Sequence, residues 1–228
     1  MTTSAPQVPG PGRRSLPALP DELRRPAAIG VLAATVVFGL LAARYGGNSG
    51  YGRVDGHAVT VVDSLVSTHL RIVDELSRFG SPPLVVVAAL LLCALCLVLG
   101  RRRLAVVALV GPGLTGLATT LLKPAIGRTI DAGSYAFPSG HTGGATSIAL
   151  VAALLLVSLV RPGRTTGVAL VVSIALVAGG VIGASMVAIG AHYPTDTIGG
   201  FCAAVTLVLG SALALEAATR WWRGRREG

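Results

Sequence analysis

Long apolar stretches alternate with short polar connections along most of the chain. Six stretches are long enough, or nearly so, to cross a hydrocarbon core of about 30 Å, which takes about 20 helical residues. All six are rich in Ala and Gly, which allow helices to pack closely within a bilayer. They cover residues 27–43, 82–99, 104–122, 142–160, 167–190 and 197–218. The pattern predicts an all-α fold, an integral membrane bundle of six transmembrane helices.

Polar segments flank this bundle and interrupt it once. Residues 1–25 are rich in Pro, Gly and Ser and are predicted to form a disordered tail. The membrane domain then covers residues 26–219, and a basic tail covers 220–228. Within the long first connection, residues 61–80 carry apolar side chains at helical spacing, which predicts one amphipathic helix outside the membrane. His57 and His69 belong to this connection and are interpreted as surface or packing residues.

Composition and charge favour a membrane partner over nucleic acid. The chain is 52% hydrophobic and 13% charged, and its net charge is +9. Only 4% of residues are aromatic, and the basic residues cluster at the ends of the apolar stretches. That arrangement is typical of topology signals in a membrane protein, not of a nucleic-acid-binding surface. Cys93, Cys96 and Cys202 all lie in apolar stretches, so no disulfide or metal site is expected.

The distribution of Lys and Arg predicts the orientation. When the connections are numbered alternately, one side receives thirteen of the nineteen basic residues. We expect that side to be cytoplasmic, since Lys and Arg accumulate there. Both termini of a protein in the cell membrane would then be cytoplasmic. The long connection 44–81 and the polar clusters around residues 123–141 and 191–196 would lie outside.

Three polar stretches are therefore expected to meet above one end of the bundle. They are "LLKPAIGRTID" (121–131), "FPSGH" (137–141) and "GAHYPTD" (190–196). Ionisable groups at the helix ends of a membrane protein are costly unless they face water or one another, so this end is the predicted functional site. A transporter would instead place charged groups in mid-span within broken helices, whereas the mid-span residues here are apolar.

The first two stretches carry groups suited to a phosphate. Ser139, Gly140 and His141 begin an apolar stretch, and the free N–H groups of a helix start can cradle an anion. Lys123 and Arg128 supply the positive charge that a phosphate needs. Each feature alone has a structural explanation: a turn with an N-cap, or a lysine extending to the membrane interface.

The third stretch carries a potential nucleophile. Asp196 follows His192 by four residues, so its carboxylate can reach one imidazole nitrogen and leave the other as an attacking lone pair. Such a pair is also common as a plain capping arrangement. All three stretches, in this order and on one predicted face, favour a catalytic site.

These residues resemble the type 2 phosphatidic acid phosphatase superfamily, the lipid phosphate phosphatases related to vanadium-dependent haloperoxidases. Its pattern is K-x6-R-P, then P-S-G-H, then S-R-x5-H-x3-D. The resemblance implies a nucleophile at His192 that forms a phosphohistidine, oriented by Asp196, with His141 as general acid. It also implies that Lys123, Ser139 and the Gly140 amide hold the phosphoryl oxygens, without a metal or other cofactor.

Two arginines of the pattern are replaced. Ile130 and Asp131 stand where Arg-Pro is expected, and Met186 follows Ser185 where the second arginine is expected. Arg128 is the nearby arginine that can partly substitute as a phosphate-binding residue. Two functions remain open: a phosphatase acting on a lipid phosphate or diphosphate of the cell envelope, such as an isoprenoid carrier or a phospholipid, or an inactive member that binds lipid phosphates as a scaffold.

Overall fold

The fold is a bundle of long helices with one short hairpin. The computed structural model describes residues 16–50, 52–66, 70–130 and 133–227. Within these ranges the elements are α1 (Asp21–Tyr45), α2 (Arg53–Val66), α3 (Leu70–Arg78), α4 (Pro82–Val98), α5 (Arg102–Ile126), β1 (Thr129–Ile130), β2 (Ser134–Tyr135), α6 (Gly140–Val160), α7 (Arg164–Ala188) and α8 (Pro194–Glu227). The predicted all-α membrane bundle is confirmed.

Five helices in the described ranges are long and apolar enough to cross a membrane: α1, α5, α6, α7 and α8. The predicted span at 82–99 corresponds to α4, which is shorter. It counts as a sixth span only together with the end of α3, from which it is bent by 53°. Apolar side chains such as Leu32, Leu91 and Val98 point away from the bundle and are exposed, as contact with lipid requires.

Helix α6 lies at the centre and packs against α4, α5, α7 and α8. Its buried face includes Leu150, Val151 and Leu154, and α8 adds Val208 to the same core. Gly179 of α7 lies against Phe201 and Thr146, where an added Cβ would be 2.8 Å from the Thr146 hydroxyl. The small residues predicted to bring the helices together therefore do so at the centre of the bundle.

The alternating direction of the helices gathers the polar connections at one end. Helices α1, α5 and α7 finish there, and α4, α6 and α8 begin there. We call this the site end. At the opposite end, Glu216 of α8 is 1% exposed and accepts hydrogen bonds from Ala18 N–H (2.7 Å), Arg24 (3.2 Å) and Arg103 (3.0 Å).

Three segments differ from the sequence predictions. Residues 18–25, expected to be disordered, pack onto the bundle: Ala18 and Leu19 are buried and α1 begins at Asp21. The apolar side chain of Leu19 and the bond from Ala18 to Glu216 account for this order. The predicted amphipathic helix contributes to two helices, α2 and α3, on either side of residues 67–69. At the C-terminus, α8 continues through the expected basic tail to Glu227.

The remaining predicted features concern the two histidines of the first connection, helix α3 and the cysteines. His69 and residues 1–15 lie outside them, and His57 is exposed. Among the residues of α3, Val73 and Ser77 are buried, and the helix packs against α7. Cys93 is partly buried and Cys96 and Cys202 are buried, all three as free thiols.

Candidate active site

Lys123 lies in the last turn of α5, and a glycine directs the chain from there back into the bundle. The helix ends at Gly127, whose φ of +71° is the left-handed conformation that glycine adopts without strain. Arg128 follows at once, and its carbonyl accepts a hydrogen bond from Ala136 N–H (2.8 Å). The β1–β2 hairpin between these residues therefore links the first polar stretch to the second.

Ser139 caps the start of α6. Its side chain is fully buried, and its Oγ accepts a hydrogen bond from Thr142 N–H at 3.4 Å. Gly140 and His141 form the first turn. The amide of Ser139 donates to the carbonyl of Asp196 at 2.9 Å, so the second and third polar stretches are joined through the main chain.

A glycine makes this junction possible. Gly200 of α8 lies against Ser139, and an added Cβ there would overlap the Ser139 carbonyl oxygen. The adjacent Gly199 lies equally close to the ring of Phe137. Helix α8 can therefore approach residues 137–139 closely enough for the hydrogen bond between main-chain atoms to form.

His192 and Asp196 lie where α7 turns into α8. The amide of His192 donates to the Met186 carbonyl at 3.2 Å, and Asp196 lies in the first turn of α8. Asp196 Oδ2 accepts a hydrogen bond from Tyr193 N–H (2.8 Å) and is 3.9 Å from His192 Nδ1. That separation is too long for a hydrogen bond, and Nδ1 is buried without a partner among the described residues.

Lys123 and both histidines lie near one another at the site end. Lys123 lies in the last turn of α5, His141 lies in the first turn of α6, and His192 lies two residues before α8 begins. His192 is 7% exposed and Asp196 is fully buried, whereas Lys123 and His141 are partly exposed. The structure thus brings together residues from all three polar stretches, which are up to 73 positions apart in the sequence.

Arg128 is enclosed and not exposed at the surface. Its Nη1 donates to Asp196 Oδ1 and to Thr195 Oγ1, each at 2.6 Å, and its Nη2 donates to Asp55 Oδ2 at 2.7 Å. The rings of Tyr45 and Tyr193 lie on the guanidinium, with centroids 4.4 and 4.7 Å from its carbon. The residue has no exposed surface.

Asp55 is a residue of this site that the sequence did not indicate. It comes from the first turn of α2 and is fully buried. Its Oδ1 accepts the Thr195 amide (2.9 Å), and its Oδ2 accepts the Thr195 hydroxyl (3.1 Å) as well as Arg128. Its sequence surroundings, "RVDGH", carry no spacing that relates it to Arg128 or Thr195.

The two replaced arginine positions lie close to this arrangement. Met186 is buried in α7, and its carbonyl accepts hydrogen bonds from the amides of Ala191 (3.0 Å) and His192. Ile130 lies in β1 and is partly buried. Asp131 lies outside the described residues.

Part of the chain matches the profile of a known family, and its fold is similar to that of a solved structure. The profile of the PAP2 superfamily matches residues 117–220, which contain all three polar stretches from Lys123 onward. The fold is similar to the crystal structure of a transmembrane PAP2 type phosphatidylglycerolphosphate phosphatase from Bacillus subtilis. That comparison has a TM-score of 0.56 and 19% sequence identity, and it covers 82% of this chain and 96% of the other. No curated protein sequence matches significantly. The chain is thus a multi-pass membrane protein.

Proposed function

We propose that this chain, whose residues 117–220 match the profile of the PAP2 superfamily, hydrolyses the phosphomonoester or diphosphate of an envelope lipid. The observation that carries the proposal is the hydrogen bond from the Ser139 amide to the Asp196 carbonyl (2.9 Å), which joins the start of α6, with His141, to the start of α8, next to His192, at the end of the bundle where Lys123 lies. The fold alone does not identify a function, so the proposal depends on these side chains.

The proposed reaction has two steps. Asp196 Oδ2, 3.9 Å from His192 Nδ1 in this structure, moves to hydrogen-bonding distance when substrate binds and orients the imidazole, and Nε2 attacks the phosphorus atom. As the N–P bond forms, the bond from phosphorus to the leaving oxygen breaks and His141 donates a proton to that oxygen. In the second step His141 takes a proton from water, the water oxygen bonds to phosphorus, and the N–P bond breaks. Inorganic phosphate leaves in this second step. The group released in the first step is the lipid alcohol when the substrate is a phosphomonoester, and the lipid monophosphate when it is a diphosphate.

The phosphoryl oxygens need positive charge and hydrogen-bond donors. We assign the charge to Lys123 and the donors to Ser139 and the Gly140 amide, because the first N–H groups of a helix have no acceptor within the helix. Fixed donors of this kind stabilise the charge that develops in the transition state, so the proposed reaction is independent of metal. Arg128, the fourth residue expected from the sequence, is enclosed by carboxylates and rings.

We place the site on the extracytoplasmic face of the cell membrane, with both termini in the cytoplasm. The connections at the opposite end carry the excess of Lys and Arg, which accumulate on the cytoplasmic side of a membrane. The substrate head group would then reach the site from the outer leaflet while its hydrocarbon chain stays in the bilayer. An isoprenoid carrier diphosphate and a phospholipid phosphate both fit this description.

Phosphate release by the purified chain in detergent tests the proposal. A panel of lipid monophosphates and diphosphates is assayed with a chelator and without added metal, and His192→Ala is the control. We expect release from at least one lipid by the wild type and a loss of at least about 10³-fold in His192→Ala. Equal release by the two proteins would refute the proposed function.

A scaffold that binds lipid phosphates without hydrolysis is the second candidate, and the replacements at Ile130 and Met186 favour it. A site that lacks only these charges should gain turnover when both are restored in Ile130→Arg with Met186→Arg. If neither the wild type nor this variant releases phosphate, yet both bind the lipid, the scaffold is correct.

A further inference from the structure

The interactions of Asp55 extend the site beyond the three polar stretches. Asp55 holds Arg128 through Oδ2, and Arg128 holds the opposite oxygen of the carboxylate that faces His192. The side chains of Asp55, Arg128 and Asp196 are all fully buried. A buried carboxylate held on both sides has little freedom to rotate, so each contact restricts the next.

Asp55 also fixes the backbone that carries the nucleophile. Its Oδ1 accepts the amide of Thr195, which lies in the first turn of α8. An acidic side chain at a helix N-terminus satisfies a free N–H and interacts favourably with the helix dipole. Here the side chain comes from α2, 140 residues earlier. Helix α2 therefore determines where the turn between His192 and Asp196 lies.

We propose that Asp55 and Arg128 are positioning residues for the phosphatase reaction: Asp55 anchors Arg128 and the Thr195 amide, and together they hold Asp196 in the orientation that aligns His192. Neither residue touches the phosphate. The inference rests on the proposed function, and it assigns Arg128 a different role from phosphate binding, the role expected from the sequence.

The test measures kcat and KM separately, per folded protein, for the full chain in detergent with the best lipid of the panel. Asp55→Asn keeps the shape of the side chain and removes its charge. We expect kcat to fall at least about tenfold, because small misplacements of a reacting group are costly, with KM changed by less than about threefold. Lys123→Ala is the contrast, since loss of a direct phosphate contact should raise KM as well as lower kcat.

A double variant tests the pathway through Arg128. If Asp55 acts through Arg128, Asp55→Asn with Arg128→Gln has nearly the kcat of Arg128→Gln alone; independent residues would multiply their effects. Thr195→Val is the milder variant should Asp55→Asn fold poorly. Thr195→Val removes the hydroxyl that contacts both Arg128 and Asp55, and it should lower kcat severalfold at unchanged KM.

The outcomes separate the two proposals. An active wild type with an unchanged kcat in Asp55→Asn or Thr195→Val, or with its loss confined to KM, would overturn the positioning role and return Arg128 to substrate binding. Multiplicative effects in the double variant would also overturn it. Equal activity of the wild type and His192→Ala would instead reject the phosphatase itself.

Discussion

Arg128 and Asp196 form an ion pair of 2.6 Å in which neither side chain has any exposed surface. Taking such charges out of water is costly, and the pair is tolerable because each partner has further hydrogen bonds. Arg128 also reaches Asp55 and Thr195, and Asp196 also accepts the Tyr193 amide. The site end is therefore tied together by charge as well as by apolar packing.

Removal of the guanidinium should destabilise the protein strongly. In Arg128→Leu the carboxylates of Asp55 and Asp196 remain buried without their cation, which costs about 3–5 kcal/mol. Thermal unfolding in detergent measures the effect. The control is Arg78→Leu, whose ion pair with Asp74 is more than half exposed on both sides and is worth less than about 1 kcal/mol. Similar unfolding midpoints for the two variants would contradict the buried network.

The ring of Tyr45, more than its hydroxyl, should support Arg128. Tyr45→Leu removes a cation–π contact with a desolvated guanidinium, worth about 2 kcal/mol. Tyr45→Phe keeps the ring and should unfold at nearly the wild-type temperature. If Tyr45→Phe unfolds as early as Tyr45→Leu, the contact between the ring and the guanidinium is not what stabilises the site.

A methyl group at Gly200 should move the start of α8 away from Ser139 at the start of α6. Gly200→Ala forces α8 away from Ser139, and overpacking of this kind costs about 1–3 kcal/mol. We expect phosphate release to fall at least as much as stability does. Gly210→Ala is the matched control on the same helix, because an added Cβ there meets nothing within 4 Å. It should keep full activity; equal losses in both variants would mean that the close approach is unimportant.

Glu216 should matter for stability and not for chemistry. It holds the start of α1 and the start of α5 at the end of the bundle opposite the site, about 30 Å along α8 from Asp196. Glu216→Gln should destabilise by about 3 kcal/mol, because Arg24 and Arg103 lose their shared anion.

The activity of Glu216→Gln per folded molecule should equal that of the wild type. It is measured as the rate of phosphate release divided by the fraction of the protein that is folded. Glu75→Gln, at an exposed ion pair with Arg78, is the control and should change neither quantity. A fall in kcat without a fall in stability would place Glu216 in the reaction after all.

The features that follow from hydropathy were predictable from the sequence. A helix needs about 20 apolar residues to cross a bilayer, so the long stretches were visible, and alternation of direction then required the three polar stretches to share one end. Lys123, Ser139, His141, His192 and Asp196 lie at that end. Helix α4 was harder to define, since its length falls short and its bend relative to α3 depends on packing.

The contacts of Arg128 could not be predicted, because they depend on tertiary structure alone. Its partner Asp55 lies 73 residues earlier, in the long first connection and ahead of the segment 61–80 whose apolar spacing predicts an amphipathic helix. Burial of an arginine is rare unless it is paired, and the pairing is invisible until α2 is placed against α7 and α8. The order of Ala18 and Leu19 was likewise hidden, because it depends on Glu216 nearly 200 residues later.

The bond between the Ser139 amide and the Asp196 carbonyl uses no side-chain atoms of either residue. The spacing between the start of α6, the proposed phosphate-binding segment, and His192, the proposed nucleophile, is consequently set by main-chain atoms. Side chains around the site can then be exchanged, by evolution or by an engineer, while these two helix starts stay at the same separation.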